Sequence, residues 1–150
     1  MKALLLASLV SFSAMASECY VRTADLVTNE VTLAKEICIN DIGLKLEAFG
    51  NSKATIAYTL DGVVKEKVIA LNNPIELRSG KVLFLVWGLE SNFAGGWCSD
   101  TTEAAINASL EMNKDGTDVV LTEIKGSVST TNDNCHSDAR EIQSLDYKLI

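Results

Sequence analysis

Apolar residues recur at every second position along much of this chain. Ile42, Leu44, Leu46 and Ala48 alternate with Gly43, Lys45, Glu47 and Phe49, and Ala54, Ile56, Tyr58 and Leu60 with Lys53, Thr55, Ala57 and Thr59. Ile106, Ala108, Leu110 and Met112 alternate with Asn107, Ser109 and Glu111. Successive side chains of a strand point to opposite faces, so each run buries one face and wets the other. Turn formers separate the runs: Gly50-Asn51-Ser52, Asp61-Gly62, Asn72-Asn73-Pro74, Ser79-Gly80 and Lys114-Asp115-Gly116. The spacing predicts strands near 18–27, 30–40, 42–49, 53–60, 63–70, 81–89, 104–112, 117–124 and 140–149. The expected fold is all-β, an antiparallel meander of 8–9 strands forming a small barrel or a two-sheet sandwich. The run 82–89 (VLFLVWGL) lacks alternation and is expected to be a strand covered on both faces.

Register follows from parity, because a one-residue slip turns an apolar face to water. A short loop about Thr28-Asn29 pairs Leu26 with Val31, Ala24 with Leu33 and Tyr20 with Ile37, and it sets Cys19 opposite Cys38. A two-residue loop keeps that last pair hydrogen-bonded, with the wider Cα spacing. Across Asp61-Gly62 a two-residue loop sets Tyr58 against Lys65 and Ile56 against Lys67. A three-residue loop is therefore preferred, with Tyr58 against Val64 and Ala54 against Val68. A four-residue loop at 113–116 pairs Leu110 with Val119 and Ala108 with Leu121.

Residues 1–16, MKALLLASLVSFSAMA, have the composition of a secretory signal peptide: Lys2, a short apolar stretch, then Ala14-Met15-Ala16. The uncharged stretch 3–17 is shorter than the ~20 residues of a membrane-spanning helix. Glu18 directly before Cys19 argues against a lipid-anchored cysteine. Cleavage after Ala16 leaves residues 17–150 as a single all-β domain, in the periplasm or outside the cell. The charge supports this picture. The 13 basic and 20 acidic residues of the whole chain become 12 and 20, a net −8 that disfavours nucleic acid, and no membrane span remains after cleavage.

All four cysteines lie in the mature part. On an exported chain an even count implies disulfides rather than zinc ligands. In a meander, the loops at 90–103 and 125–139 leave the same end, and strand order places Cys19 and Cys38 there too. The preferred pairing is Cys19–Cys38 with Cys98–Cys135, each bridge contributing about 3–4 kcal/mol in the loop-entropy picture.

Those two long loops are the expected site. Phe93 and Trp97 stand beside Gly95 and Gly96, which suits partner recognition by aromatic contact area. The alternative is that both rings fold inward and cap the core. His136, in the second loop, joins them as a binding residue. It is the only histidine, so a secreted hydrolase would need it as base, with Ser91, Ser99 or Ser137 as nucleophile and a carboxylate behind. No Gly-x-Ser-x-Gly elbow occurs. Asn132 to Asp138 lack the Gly and closing Glu of a calcium loop, and no metal or cofactor is expected. Glu66 is the one acid that parity sets on an apolar face, near Ile56, as an edge guard or a ligand-ordering group.

The favoured function is a non-catalytic binding or interaction module, for an unknown protein or small-molecule partner. A closed barrel resembles lipocalin- or streptavidin-like folds in strand count alone, which implies an apolar ligand held in its interior. An eight-stranded outer-membrane barrel also fits the length. Four cysteines and a 6% aromatic content fit that class poorly.

Overall fold

In the computed structural model, residues 9–13, 17–47, 50–131 and 140–150 are described. They form one antiparallel sheet of β1 (Leu9–Ser13), β2 (Glu18–Arg22), β3 (Glu36–Leu46), β4 (Lys53–Leu60), β5 (Val63–Ala70), β6 (Ile75–Glu76), β7 (Val82–Ala94), β8 (Thr101–Met112), β9 (Val120–Thr131) and β10 (Arg140–Leu149). The order is β5-β4-β3-β2-β10-β9-β8-β7-β6, with β1 paired to β3 beside β2. The meander is therefore joined where its first and last long segments meet, β2 against β10. It is open between β5 and β6, which are consecutive in sequence, so the sheet is a half-barrel rather than a closed barrel or a sandwich. Asn73 sits at φ 52° and Pro74 has no N–H to donate, so the chain turns away at this point instead of pairing.

The core is one continuous cluster drawn from both arms of the sheet. Ile37, Ile39, Ile42 and Ile56 on β3 and β4 are buried with Val86, Ile106, Leu110, Val128 and Leu145 on β7 to β10. Parity changes along three strands are absorbed by β-bulges. On β3 the inward set switches from Ile37 and Ile39 to Ile42 and Leu44, and the register shifts between Ile39 and Asp41. The segments expected as separate strands ending at 40 and starting at 42 are thus one strand, because one extra residue restores the inward face. On β7 the shift lies between Val86 and Glu90, which buries Leu89 after Val82, Phe84 and Val86. The outer face of this strand is not covered as expected: Leu85 is 48% and Trp87 63% exposed.

Three hairpins depart from the expected pairing. At Asp61-Gly62 the two-residue loop forms after all, pairing Tyr58 with Lys65 and Ile56 with Lys67. Asp61 and Gly62 stand at φ 45° and 82°, the left-handed pair of a type I′ turn. Parity did not decide because β5 is an edge strand whose residues are mostly exposed. Glu66 accordingly lies on the outer face opposite Ala57, exposed, and not against Ile56. At the β8–β9 turn, Leu110 pairs with Leu121, two residues beyond the expected Val119. The faces keep their parity, and Asn113 bonds Thr117 and Asp118 to hold the longer loop.

The first hairpin is the largest departure. Tyr20 pairs with Ile37 and Cys19 with Cys38 as expected, but residues 23–35 form no strand. They cross the mouth of the half-barrel and bury Val31, Leu33 and Ala34 in the core. A non-helical, non-sheet backbone can enter a core only if its polar groups find partners. Side chains from several strands supply them. Glu90 accepts the Ala34 N–H at 3.1 Å, Asp61 accepts from Lys35 and Glu36, and the Asn92 amide donates to the Thr32 carbonyl. Gln143 accepts from Val27 N–H and donates to the Asp25 carbonyl. Gly126 makes room, since a Cβ there would stand 3.2 Å from Tyr147 and 3.3 Å from Leu33.

A lipid-facing wall needs closure and an apolar outer band. Here β5 and β6 end the sheet, and Lys53, Glu103, Lys125, Asp146 and Lys148 are exposed on its strands. No helix among the described residues is long and apolar enough to cross a membrane.

Leu33→Ala removes the deepest side chain of the crossing segment. It is expected to cost about 2–5 kcal/mol in denaturant unfolding, with the far-UV β spectrum retained. A loss below about 1 kcal/mol would show that the segment is not part of the core.

Candidate functional site

The ladder sets the two expected site loops side by side, because Thr131 pairs with both Thr101 and Arg140. The first loop is shorter than its composition suggested. β7 continues to Ala94 and β8 begins at Thr101, with Phe93 opposite Glu103, so only residues 95–100 turn. Ser91 and Asn92 are weak strand formers, whereas Phe93, Thr101 and Thr102 suit a strand. The first two are held in the ladder by pairing on the barrel rim rather than by propensity.

The turn is tightly built. Gly95 stands at φ 136°, where a Cβ would come within 2.6 Å of the Asp100 carbonyl. The Ser99 hydroxyl accepts from the Gly96 N–H at 2.8 Å and donates to the Gly96 carbonyl at 3.0 Å. Ser99 is thus a brace within the turn. Trp97 is 92% exposed and Phe93 61%, so neither ring caps the core. The capping role falls to Val31, Leu33 and Ala34 of the crossing segment. His136, Ser137 and Cys135 lie outside the described residues, so the hydrolase arrangement has no described geometry.

Cys19 and Cys38 form a disulfide with Cα atoms 4.0 Å apart. Arg22 N–H donates to the Lys35 carbonyl, which puts the hydrogen-bonded pairs of β2 and β3 at Arg22 and Tyr20 and leaves Cys19–Cys38 in a narrow, non-hydrogen-bonded site. The two-residue hairpin that implied the wider spacing does not form. Nor do the described cysteines gather at one end: Cys19 and Cys38 lie at the end opposite Cys98. Ile150 N–H donates to the Cys19 carbonyl, a full length of β10 away from Arg140. One disulfide, Cys19–Cys38, is seen among the described residues rather than the two expected, and Cys98, at the Trp97 turn, is not a free thiol. The cluster of Cys19, Glu36 and Cys38 is the disulfide plus one carboxylate, and sulfurs joined to each other are not thiolate ligands.

The largest cavity described, about 490 Å³, lies at the mouth between the crossing segment, the Asp61 turn and the β7 bulge. Its carboxylates are already engaged. Glu90 takes Ala34 N–H on one oxygen and Asn92 on the other, and Asp61 takes Lys35 and Glu36 N–H. These groups hold backbone rather than standing ready for a substrate. Sequence reasoning missed them, because neither Glu90 nor Asp61 carries a local signal of its long-range partner.

Beneath the mouth, the Tyr147 hydroxyl donates to the Ala34 carbonyl and the Tyr58 hydroxyl to the Leu89 carbonyl at 2.7 Å. Burial pushes the Tyr147 phenol up to about 12, with Glu90 and Asp61 adding to the rise and Arg22 opposing it. Tyr58 is raised chiefly by burial, then by Glu90. Tyr20 is pushed up to about 12 by burial and then by its hydrogen bond to Glu18. Arg22, paired with Tyr147 across the ladder, keeps Nε and Nη1 buried without a hydrogen-bond partner.

Trp87 was also missed, because its strand read as covered on both faces. It stands on the convex side of the sheet, the opposite side from the core. No protein-family model, curated protein or solved structure matches the chain.

The raised phenols tie stability to alkaline pH. A tyrosine whose folded pKa exceeds its unfolded value near 10 favours the native state below pH 10. That contribution is lost as pH rises from about 10 through about 12. Thermal melts between pH 9 and pH 12 are expected to fall in this window, and Tyr147→Phe is expected to flatten the slope. An unchanged slope in the variant would remove Tyr147 from this role.

Proposed function

We propose that this chain is an exported, disulfide-stabilised β-domain that acts as a non-catalytic binding module, with Phe93, Trp97 and His136 at its recognition end. The observation that carries the reading is Trp97, 92% exposed on a six-residue turn anchored by a disulfide-bonded Cys98. A large ring left in water on a braced turn loses little conformational entropy on binding and offers much contact area. Phe93, 61% exposed on the strand leading into the turn, extends the same surface.

Export is supported by the composition of residues 1–16, whose cleavage would remove β1 from its pairing with β3, and by the Cys19–Cys38 disulfide, which is compatible with an oxidising compartment. The reading includes a second bridge, Cys98–Cys135, tying the two loops together. Partner recognition at this end involves neither nucleic acid nor a metal. The net charge of −8 after cleavage favours a neutral or basic partner surface.

Intact-mass analysis of the exported protein is expected to give Ser17 as the first residue and a mass four hydrogens below that of the reduced chain. Retention of Met1, or reactive thiols, would overturn the assignment of compartment. For the recognition end, Trp97→Ala is expected to leave the melting temperature within about 2 °C. The same variant is expected to lose at least tenfold in affinity for the partner captured by the oxidised wild-type domain from its own milieu. Val64→Ala, at another exposed apolar position, on β5, is the control. Equal losses in both variants, or a large stability loss in Trp97→Ala, would sink the reading.

A further inference from the structure

On the convex face, β7 to β10 together line a second pocket of about 280 Å³ that includes no residue of the Trp97 turn. One wall is the Trp87 ring, 63% exposed, beside Leu85. The floor and far wall carry Asn107, Ser109, Ser127 and Ser144, and Glu123 and Lys125 stand at the rim. We infer that this pocket binds a neutral pyranose ring of a glycan, stacked on Trp87 and hydrogen-bonded by the hydroxyl and amide side chains around it.

Two independent features of the backbone converge here. The β7 bulge, between Val86 and Glu90, immediately follows the segment that carries Leu85, and Trp87 lies inside it. Gly88 is at φ 68°, and its N–H donates to the Asn107 carboxamide oxygen at 2.7 Å. The β8–β9 bulge, between Asn107 and Ser109, brings Glu123 to φ 51°, a left-handed conformation that a glutamate adopts only at a cost. Bulges re-aim side chains, and strained non-glycine residues concentrate where a site requires them. Asn107 ties the two together: its oxygen accepts from Gly88, and its side chain, which also carries an amide donor, lines the pocket.

The chemistry of the lining selects the ligand class. An exposed indole face offers a flat apolar platform, matched by the C–H face of a pyranose ring. Serine hydroxyls both donate and accept, as ring hydroxyls do. Glu123 and Lys125 are of opposite sign and cancel at the rim, so the pocket favours a neutral ligand over a phosphate or a carboxylate. The acidic molecule as a whole also repels polyanions. The volume holds about one ring of a chain that continues across the open convex face.

The chain has two tryptophans, Trp87 and Trp97, so Trp97→Ala leaves Trp87 as the sole indole emitter. In that background, titration of the oxidised protein with cellohexaose, maltohexaose and chitohexaose is expected to shift Trp87 emission saturably with at least one of the three. Calorimetry on the otherwise wild-type chain is expected to give at least tenfold weaker binding for Trp87→Ala and partial rescue by Trp87→Phe. Near-unchanged melting temperatures in both variants verify folding, since the ring is mostly in water. No response of Trp87 to any of the three sugars would overturn the inference. So would calorimetric binding that survives Trp87→Ala. Because the readout is Trp87 alone, it is independent of whether the Trp97 turn recognises a partner.

Discussion

The half-barrel depends on the satisfaction of one irregular backbone segment. Residues 23–35 cross the mouth without pairing into the sheet, yet Val31, Leu33 and Ala34 are buried among the strands they cover. Burying an unpaired amide or carbonyl costs roughly as much as several buried methylenes return. The arrangement is stable only because Glu90 and Asn92 of β7, Asp61 of the β4–β5 turn and Gln143 of β10 reach in. Each of these contacts spans long sequence separations, so the mouth closes only when the two arms of the sheet have come together. An open edge between β5 and β6 is tolerated because the interior is sealed by this segment rather than by closure of the sheet.

Sealing the mouth in this way changes what the remaining aromatic residues can do. Small domains ordinarily need every large ring for burial. Here the crossing segment, with Tyr58 and Tyr147 hydrogen-bonded beneath it, fills the end of the core. Trp97, Phe93 and Trp87 are therefore left on the surface, two at the hairpin tip and its approach and one on the convex face. The phenols of Tyr58 and Tyr147 thus serve the core, while both indoles stand in solvent.

Much of this was legible in the alternation. Which residues face the core on β4 and β8 follows from parity, and so does the Tyr20–Ile37 and Cys19–Cys38 pairing. Parity fails where the backbone inserts a residue. Ile37 and Ile39 against Ile42 and Leu44 read as two strands, yet they are one strand bent at Asn40. The run VLFLVWGL read as doubly covered because a bulge at its end obscured the alternation of Val82, Phe84 and Val86 with Leu85 and Trp87. At Asp61-Gly62 local turn chemistry overrode the apolar pattern, since an edge strand has little burial to lose.

The sequence by itself determined the class, the faces of the strands and one disulfide, because alternation, turn residues and cysteine parity act over a few residues or across a single ladder. Only the tertiary structure decided that the sheet stays open, that the first hairpin dissolves into a crossing segment, and that β7 and β8 extend until only residues 95–100 turn. Those outcomes rest on hydrogen bonds such as Glu90 to Ala34 and Gln143 to Val27, between groups far apart in the chain. No local pattern encodes which distant carboxylate or amide will satisfy a buried backbone group. That choice is made only when both arms of the sheet are in place.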